Sequence, residues 1–131
     1  MKIFMVGEAA SHRHQLVAGL NRDVIQKSEI IELPREAALV AQFDKQIAAE
    51  DVVISLRLQR ERSSMPRFAL LHVPGAGLDG IDLEALSPAT TVCNVFEHEV
   101  PIAEFVLASM LHWEIRLDEL SRRFSADAWP E

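Results

Sequence analysis

Five short segments of the chain are continuously apolar or alternate apolar and polar residues with a period of two. Both patterns predict β-strands, because the side chains of a strand point alternately to its two faces. Turn-forming residues such as Gly7 and Pro34 follow the first two segments, as expected where strands end. The five predicted strands are Lys2 to Val6, Ser28 to Leu33, Asp51 to Leu56, Ala69 to Val73 and Thr91 to Val95.

Helical spacing of apolar residues occupies two of the intervals between these strands. Ser11 is a candidate N-cap for a helix that runs to about Leu20. Arg35 to Ala49 is predicted to form a second helix, because its apolar residues repeat at positions i, i+1, i+4 and i+8. Strands that alternate with helices need crossovers that cover the sheet. The pattern therefore predicts an α/β fold, a doubly wound parallel five-stranded sheet of the flavodoxin type.

A long helix with two apolar faces is predicted from Pro101 to about Arg116. Proline is favoured in the first turn of a helix. One face carries Ile102, Phe105, Val106, Met110 and Trp113, and the other carries Ala103, Leu107 and Leu111. A helix that is apolar on two sides needs two partners, and a single small sheet covers only one of them. A second domain or a second subunit is expected on the other side; an ordinary core helix is the alternative.

The composition is that of one acidic globular domain. The chain has 131 residues, 49% of them hydrophobic, and a net charge of −7. That length supports a single core, and the negative charge argues against a nucleic-acid partner. The one cysteine, Cys93, is predicted to be a buried thiol of a protein in a reducing compartment. With no long apolar run and no signal-peptide pattern, a cytoplasmic protein without membrane contact is expected.

Gly75, Gly77 and Gly80 match the spacing Gly-x-Gly-x-x-Gly that binds dinucleotides. A functional fingerprint needs a helix after the glycines, with its N-terminus directed at the pyrophosphate. Here Ser87-Pro88 follows closely and the next predicted strand begins near Thr91, so only about one helical turn fits between them. The spacing therefore argues against a dinucleotide site at these glycines.

Four arginines between the third and fourth predicted strands form the only basic cluster: Arg57, Arg60, Arg62 and Arg67. One interpretation is a solvated loop. The other is that Arg57 lies over a substrate carboxylate at the end of a strand, where a guanidinium can pair with both oxygens.

The remaining polar candidates are given structural roles. Asp79 and Asp82 are expected to accept hydrogen bonds in a turn and a helix cap. His98 lies between two glutamates, but adjacent residues do not converge on one ion, so a solvated or capping role is predicted and no metal site. His72 lies in an apolar strand and is interpreted as a core or cleft-edge histidine.

The same region resembles the D-isomer-specific 2-hydroxyacid dehydrogenases, the family of glyoxylate/hydroxypyruvate reductases and phosphoglycerate dehydrogenases. The resemblance is carried by Gly75-x-Gly77-x-Asp79-x-Ile81-Asp82-Leu83-x-x-Leu86, by a strand that ends at Asn94, and by a helix with Ile102-Ala103-Glu104. It is clearest from Ala69 to Glu131. From Met1 to Phe68 it consists only of the order of strands and helices. The turn between Asn94 and Ile102 departs from the commoner family pattern, being one residue shorter than in many relatives.

The resemblance implies that residues 1–98 are the substrate domain. Residues 99–131 would be a connecting and dimerisation helix that leads to an NAD-binding domain absent from this sequence. It implies reversible hydride transfer between a 2-hydroxy acid and a 2-oxo acid, with NAD or NADP as cofactor. The family's catalytic arginine and His-Glu pair would lie in the absent domain, so no residue here is assigned a catalytic role and the chain alone is expected to be inactive.

Four residues are the binding candidates that the resemblance implies. Gly75, Ala76 and Gly77 match the loop whose main chain approaches the substrate, and Ala76 also matches a contact to the cofactor. Arg57 matches the second wall of the cleft. Glycine suits such a loop because it reaches positive φ and lets a ligand approach successive N–H groups. The alternative is a free-standing, non-catalytic binding or dimerisation module of the same fold, since fold does not fix function.

Overall fold

A computed structural model describes residues 1–60 and 65–124 of the chain. Its centre is a five-stranded sheet in which every neighbouring pair is parallel, in the order β2-β1-β3-β4-β5. The α/β fold with a doubly wound parallel sheet is therefore confirmed, and the strand bounds agree with the sequence prediction to within a few residues. The strands are β1 Lys2–Val6, β2 Glu29–Leu33, β3 Val52–Ile54, β4 Leu70–Val73 and β5 Thr91–Asn94.

Both faces of the sheet are buried by the alternation of side chains along the strands. Phe4 and Val6 of β1 lie in a larger core cluster, whereas Ile3 and Met5 of the same strand lie in a smaller one. The larger cluster packs against residues of the segments that follow β2, β3 and β4, and the smaller one against residues between β1 and β2. Because both faces of a parallel strand are buried, its sequence is continuously apolar and does not alternate with polar residues.

Two short helices, α1 Arg13–Gly19 and α2 Arg22–Lys27, connect β1 to β2. The predicted cap at Ser11 is wrong, because Ser11 lies in a 3₁₀-helix, Gly7–His12, where its Oγ donates to the carbonyl oxygen of Glu8. The helix α2 was not predicted from the sequence. Its signal is Asn21, whose side chain accepts a hydrogen bond from the backbone N–H of Asp23 as an N-cap.

The continuous helix predicted from Arg35 to Ala49 is also wrong. Two 3₁₀-helices, Arg35–Ala38 and Ala41–Gln46, replace it, with Val40 extended between them. The physical reason is a hydrogen bond to a residue distant in sequence. In an α-helix the carbonyl of Ala38 would accept from the N–H four residues later, but here it accepts from the backbone N–H of Gln59 at 3.1 Å.

The chain divides into two compact units, Met1–Val95 and Phe96–Glu131. The second contains α3 Glu99–Ile115 and α4 Leu117–Arg123, joined at Arg116, which adopts a left-handed conformation with φ 53°. Pro101 is the third residue of α3 and not the first, still within the turn where its missing N–H is tolerated. Residues 125–131 of the predicted connecting segment lie outside the described residues. Among the described helices, none is long and apolar enough to cross a bilayer.

Candidate functional site

Two loops at the carboxyl edge of the sheet enclose a cavity of about 490 Å³. One follows β3 and the other follows β4, and neighbouring parallel strands deliver such loops to the same edge. The structure thus brings together three of the four predicted binding residues, Arg57, Gly75 and Gly77. The complete lining is Leu56, Arg57, Gln59, Gly75, Gly77, Asp79 and Gly80.

The loop with Arg57 is held by a buried hydroxyl. Ser55 is only 1% exposed; its Oγ donates to the carbonyl oxygen of Arg57 at 2.5 Å and accepts from the backbone N–H of Arg57 at 3.3 Å. Serine at the end of a strand commonly turns the chain in this way. The guanidinium therefore extends from a fixed backbone while its side chain remains exposed.

Backbone hydrogen bonds join the two loops beyond the ends of the strands. The N–H of Leu58 donates to Gly80 O at 2.9 Å, and the N–H of Asp82 donates to Leu58 O at 2.9 Å. These bonds form an isolated parallel bridge between Leu58 and Ile81, both of which are buried. The cavity wall is consequently an extension of the sheet, which fixes the spacing between Arg57 and the glycine loop.

The glycines are required by close approach and not by positive φ. A β-carbon on Gly80 would lie 2.6 Å from the carbonyl oxygen of Leu56, and one on Gly75 would lie 3.2 Å from a methyl carbon of the same leucine. The only glycine with positive φ is Gly7, at 60°, so the conformational reason predicted for Gly75 and Gly77 is wrong. At Gly75 and Gly80 the lack of a β-carbon instead lets the two loops pack together, whereas a β-carbon on Gly77 would meet the Asp79 side chain of its own loop.

Asn94 at the end of β5 and the residue after it, Val95, hold the glycine loop from the side opposite Arg57. Asn94 Nδ2 donates to the carbonyl oxygen of Ala76 at 2.8 Å, and the N–H of Val95 donates to Gly75 O at 3.2 Å. Ala76 is exposed and does not line the cavity. The asparagine that ends the strand in the sequence motif thus has a structural role, because it anchors the loop that precedes it.

Three successive backbone N–H groups of the loop have no acceptor among the described residues. Within the described residues, the N–H groups of Gly75, Ala76 and Gly77 donate no hydrogen bond, although carbonyls of the same loop accept from Asn94 and Val95. Consecutive free N–H groups favour a negatively charged ligand, and Arg57 supplies a full positive charge at the same cavity. Asp79 adds one carboxylate to the lining. The arrangement suits a small ligand that has both an anionic end and a hydroxyl or carbonyl group.

Asp82 has the structural role that the sequence predicted for it. Its Oδ1 accepts from the backbone N–H of Ala85 at 3.3 Å and caps a three-residue 3₁₀-helix, Leu83–Ala85. So short a helix provides no N-terminus for a pyrophosphate. The residues around Gly75, Gly77 and Gly80 therefore do not fit the dinucleotide part of NAD or NADP, as the spacing predicted.

The arginine cluster divides in the structure. Arg60 is buried, not solvated, and its Nη2 donates to Asp44 Oδ1 at 2.6 Å. Arg57 and Arg67 are exposed, and Arg62 lies outside the described residues. The sequence could not separate Arg60 from its neighbours, because its carboxylate partner is 16 positions away.

The structure also places the two histidines that were interpreted from the sequence, and His72 lies at a cavity edge, as predicted. His98 occupies the N-cap position of α3, but its side chain makes no capping hydrogen bond and its Nδ1 lies 3.9 Å from Glu99 Oε2. His72 is half-buried at the edge of a second cavity of about 340 Å³, and its Nδ1 lies 3.2 Å from the Sγ of Cys93. Cys93 was expected to be buried but is half-buried, because β5 is an edge strand. Among the described residues, no group of three or more His, Cys, Asp or Glu side chains is arranged to hold a metal ion.

Comparisons with known proteins add no relative to this picture. No protein-family model, no curated protein and no solved structure matches the chain. The fold and the cavity therefore define a class, an α/β protein with a doubly wound parallel sheet and a polar cavity at its carboxyl edge.

Proposed function

We propose that the chain is the substrate-binding portion of an NAD(P)-dependent oxidoreductase that interconverts a 2-hydroxy acid and a 2-oxo acid. One observation carries the proposal. Arg57 and the N–H groups of Gly75 and Gly77, which donate no hydrogen bond within the described residues, belong to the loops that line one cavity at the carboxyl edge of the sheet. Ligands of open parallel sheets bind at this edge. The resemblance of the glycine motif to the 2-hydroxyacid dehydrogenases points to the class of ligand.

The residues of this chain would bind and orient the acid. The Arg57 guanidinium would pair with the carboxylate, and backbone N–H groups of the glycine loop would donate to its oxygens, since charge-assisted hydrogen bonds are the stronger kind. Both sets of donors are held by the Ser55 and Leu58 hydrogen bonds described above. Positioning of this kind lowers a reaction barrier by fixing the geometry of the reactants.

Hydride transfer itself would require a nicotinamide held by residues outside the described fold. The glycine loop does not fit a dinucleotide. We therefore expect no turnover by this chain alone with NADH or NADPH. Ala76, adjacent to the cavity residues, remains the predicted point of contact with a cofactor. The cytoplasm is the expected compartment for this activity.

The test is a titration of isotopically labelled protein with glyoxylate, hydroxypyruvate and D-lactate, followed by the backbone amide signals in NMR. We expect shifts in the amide signals of Gly75, Ala76 and Gly77, and a loss of affinity of about tenfold in Arg57→Gln, equal to about 1.4 kcal/mol. Arg67→Gln removes an exposed arginine outside the cavity and is the matched control. Shifts confined to other parts of the chain, or equal affinity in the two variants, would refute the proposed site.

A homodimer formed through α3 is the second part of the proposal. Large apolar side chains of α3 are exposed: Phe105 is 74% exposed, Met110 63% and Trp113 84%. Exposed apolar surface on this scale marks an interaction site, and a second copy of the chain presents the same surface for a symmetric contact. The alternative of a free-standing binding module uses the same contact, but it predicts no affinity for 2-hydroxy or 2-oxo acids.

A further inference from the structure

A thiol and an imidazole meet on the sheet face opposite the larger core cluster. His72 and Cys93 are register partners on β4 and β5, and His72 Nδ1 lies 3.2 Å from Cys93 Sγ. The same register row contains Met5 and Ile54 of the smaller cluster. Because partners in a ladder have side chains on the same face, this contact is built into the strand pairing.

A cavity lies beside the histidine of the pair. His72, but not Cys93, lines the cavity of about 340 Å³. The other lining residues are Met5, Ala9, His12, Gln15, Leu16, Ile54, Leu56 and Pro74. Neither His72 nor Cys93 is buried; both are half-exposed. A half-buried thiol in contact with an imidazole that lines a cavity is an arrangement that suits a reactive cysteine.

We propose that Cys93 is a thiol–disulfide exchange site for small disulfides, with His72 as its base. The Cys93 thiol passes its proton to His72 Nδ1, and the thiolate attacks one sulfur of a low-molecular-weight disulfide. A new bond forms between Cys93 Sγ and that sulfur, the original S–S bond breaks, and the departing thiolate takes the proton from the imidazolium. One thiol and one disulfide are consumed, and one mixed disulfide and one small thiol are produced.

Acyl transfer is the less favoured use of the same pair. Hydrolases that use a cysteine orient the histidine through a third group on its other ring nitrogen and stabilise an oxyanion with fixed donors. Within the described residues, the His72 ring makes one hydrogen-bond contact, the one to Cys93. Thiol exchange needs neither an orienting group nor an oxyanion hole, because the leaving thiolate is already a stable anion.

The experiment uses the full chain, in which Cys93 is the only cysteine, so every thiol signal reports this site. The protein is mixed with oxidised glutathione near neutral pH, and the mixed disulfide is counted by intact mass spectrometry over time. We expect a second-order rate constant that falls at least about tenfold in His72→Asn. It should be unchanged in His14→Asn, which removes an exposed histidine that does not line this cavity. Cys93→Ser gives no adduct.

The alternative is that the imidazole only shields the thiol from the reagent. In that case the smaller asparagine of His72→Asn would expose the thiol, and the rate constant would rise. An equal or higher rate in His72→Asn, with the fold verified by circular dichroism, therefore overturns the proposal. The urea-unfolded chain supplies a second measurement that does not require the variant to fold. Wild-type protein should react faster when native than when unfolded, after correction for denaturant with free glutathione. A slower native reaction also overturns the proposal.

Discussion

The carbonyl oxygen of Leu56 lies 2.6 Å from the position that a β-carbon on Gly80 would occupy. Two residues after Leu56, the backbone N–H of Leu58 donates a hydrogen bond to the carbonyl oxygen of Gly80 at 2.9 Å. The loop after β4 can therefore pack against the loop after β3 only with glycine at this position. The shape of the cavity depends on this contact.

Gly80→Ala is expected to destabilise the protein by about 1–3 kcal/mol, because the obstructing atom belongs to the backbone and the loops must separate. Gly19→Ala is the matched control: nothing lies within 4 Å of its β-carbon position, and alanine is favoured over glycine in a helix by about 0.5–1 kcal/mol. Urea denaturation of both variants measures the difference. Equal midpoints for the two variants would contradict the close contact.

The buried Asp44–Arg60 ion pair gives a second prediction. Removing the carboxylate in Asp44→Ala leaves a guanidinium in the core, whose Nε and Nη1 already have no partner in the described part of the chain. We expect a loss of about 3–5 kcal/mol in the free energy of unfolding. The double variant Asp44→Leu/Arg60→Met should recover most of this loss, since no charge remains to be buried. A double variant as unstable as the single one would refute this account.

The same pair predicts a pH dependence. Burial raises the pKa of the Asp44 carboxyl above its ordinary value of 3.8, and the charge and hydrogen bond of Arg60 only partly offset that effect. The folded chain therefore holds this proton at a higher pH than the unfolded chain does. This contribution to stability is fully present below about pH 3.8 and is lost as the pH rises through the folded-state pKa.

Wild type and Asp44→Asn should be compared by urea denaturation from about pH 3 to pH 7. The wild-type stability minus the variant stability should decrease as the pH rises through this window. A difference that increases with pH would mean that Arg60 dominates over burial.

Asp51 is a structural carboxylate whose two oxygens have separate partners. Oδ1 accepts from the backbone N–H of Lys2 at 2.7 Å and Oδ2 from that of Ala48 at 2.8 Å, and the residue is 2% exposed. Asp51→Asn turns one acceptor into a donor that faces an N–H group. We expect a loss of about 1–3 kcal/mol in the free energy of unfolding. A loss no larger than that of Asp23→Asn, a change at an exposed aspartate, would contradict the role.

The dimer proposal predicts a loss of self-association when α3 becomes charged. Phe105→Glu should weaken dimerisation by at least about tenfold, because desolvating a charge at an interface is costly. Glu114→Gln, a polar change on the same helix, should leave it unaltered. Analytical ultracentrifugation measures both. A wild-type chain that stays monomeric at high concentration would refute a dimer through this helix.

The sequence determined the five strands, the parallel sheet, the long C-terminal helix and the short turn after Gly80. These features follow from the local alternation of apolar and polar residues and from the spacing of glycine and proline. The order of elements then limits the connections to crossovers. The loop residues Arg57, Gly75 and Gly77 could be selected from the sequence for the same reason, because they follow adjacent strands of one sheet.

Only the tertiary structure decided the features that depend on distant partners. The carbonyl of Ala38 accepts a hydrogen bond from Gln59 in place of a helical one. Arg60 is buried in an ion pair with Asp44, and strand register brings His72 into contact with Cys93. The reason for glycine at position 80 is likewise the carbonyl of Leu56, 24 positions earlier along the printed sequence. The local sequence pattern predicts the secondary structure of a segment. It does not show which distant residue will contact that segment, so these contacts can be seen only in the folded structure.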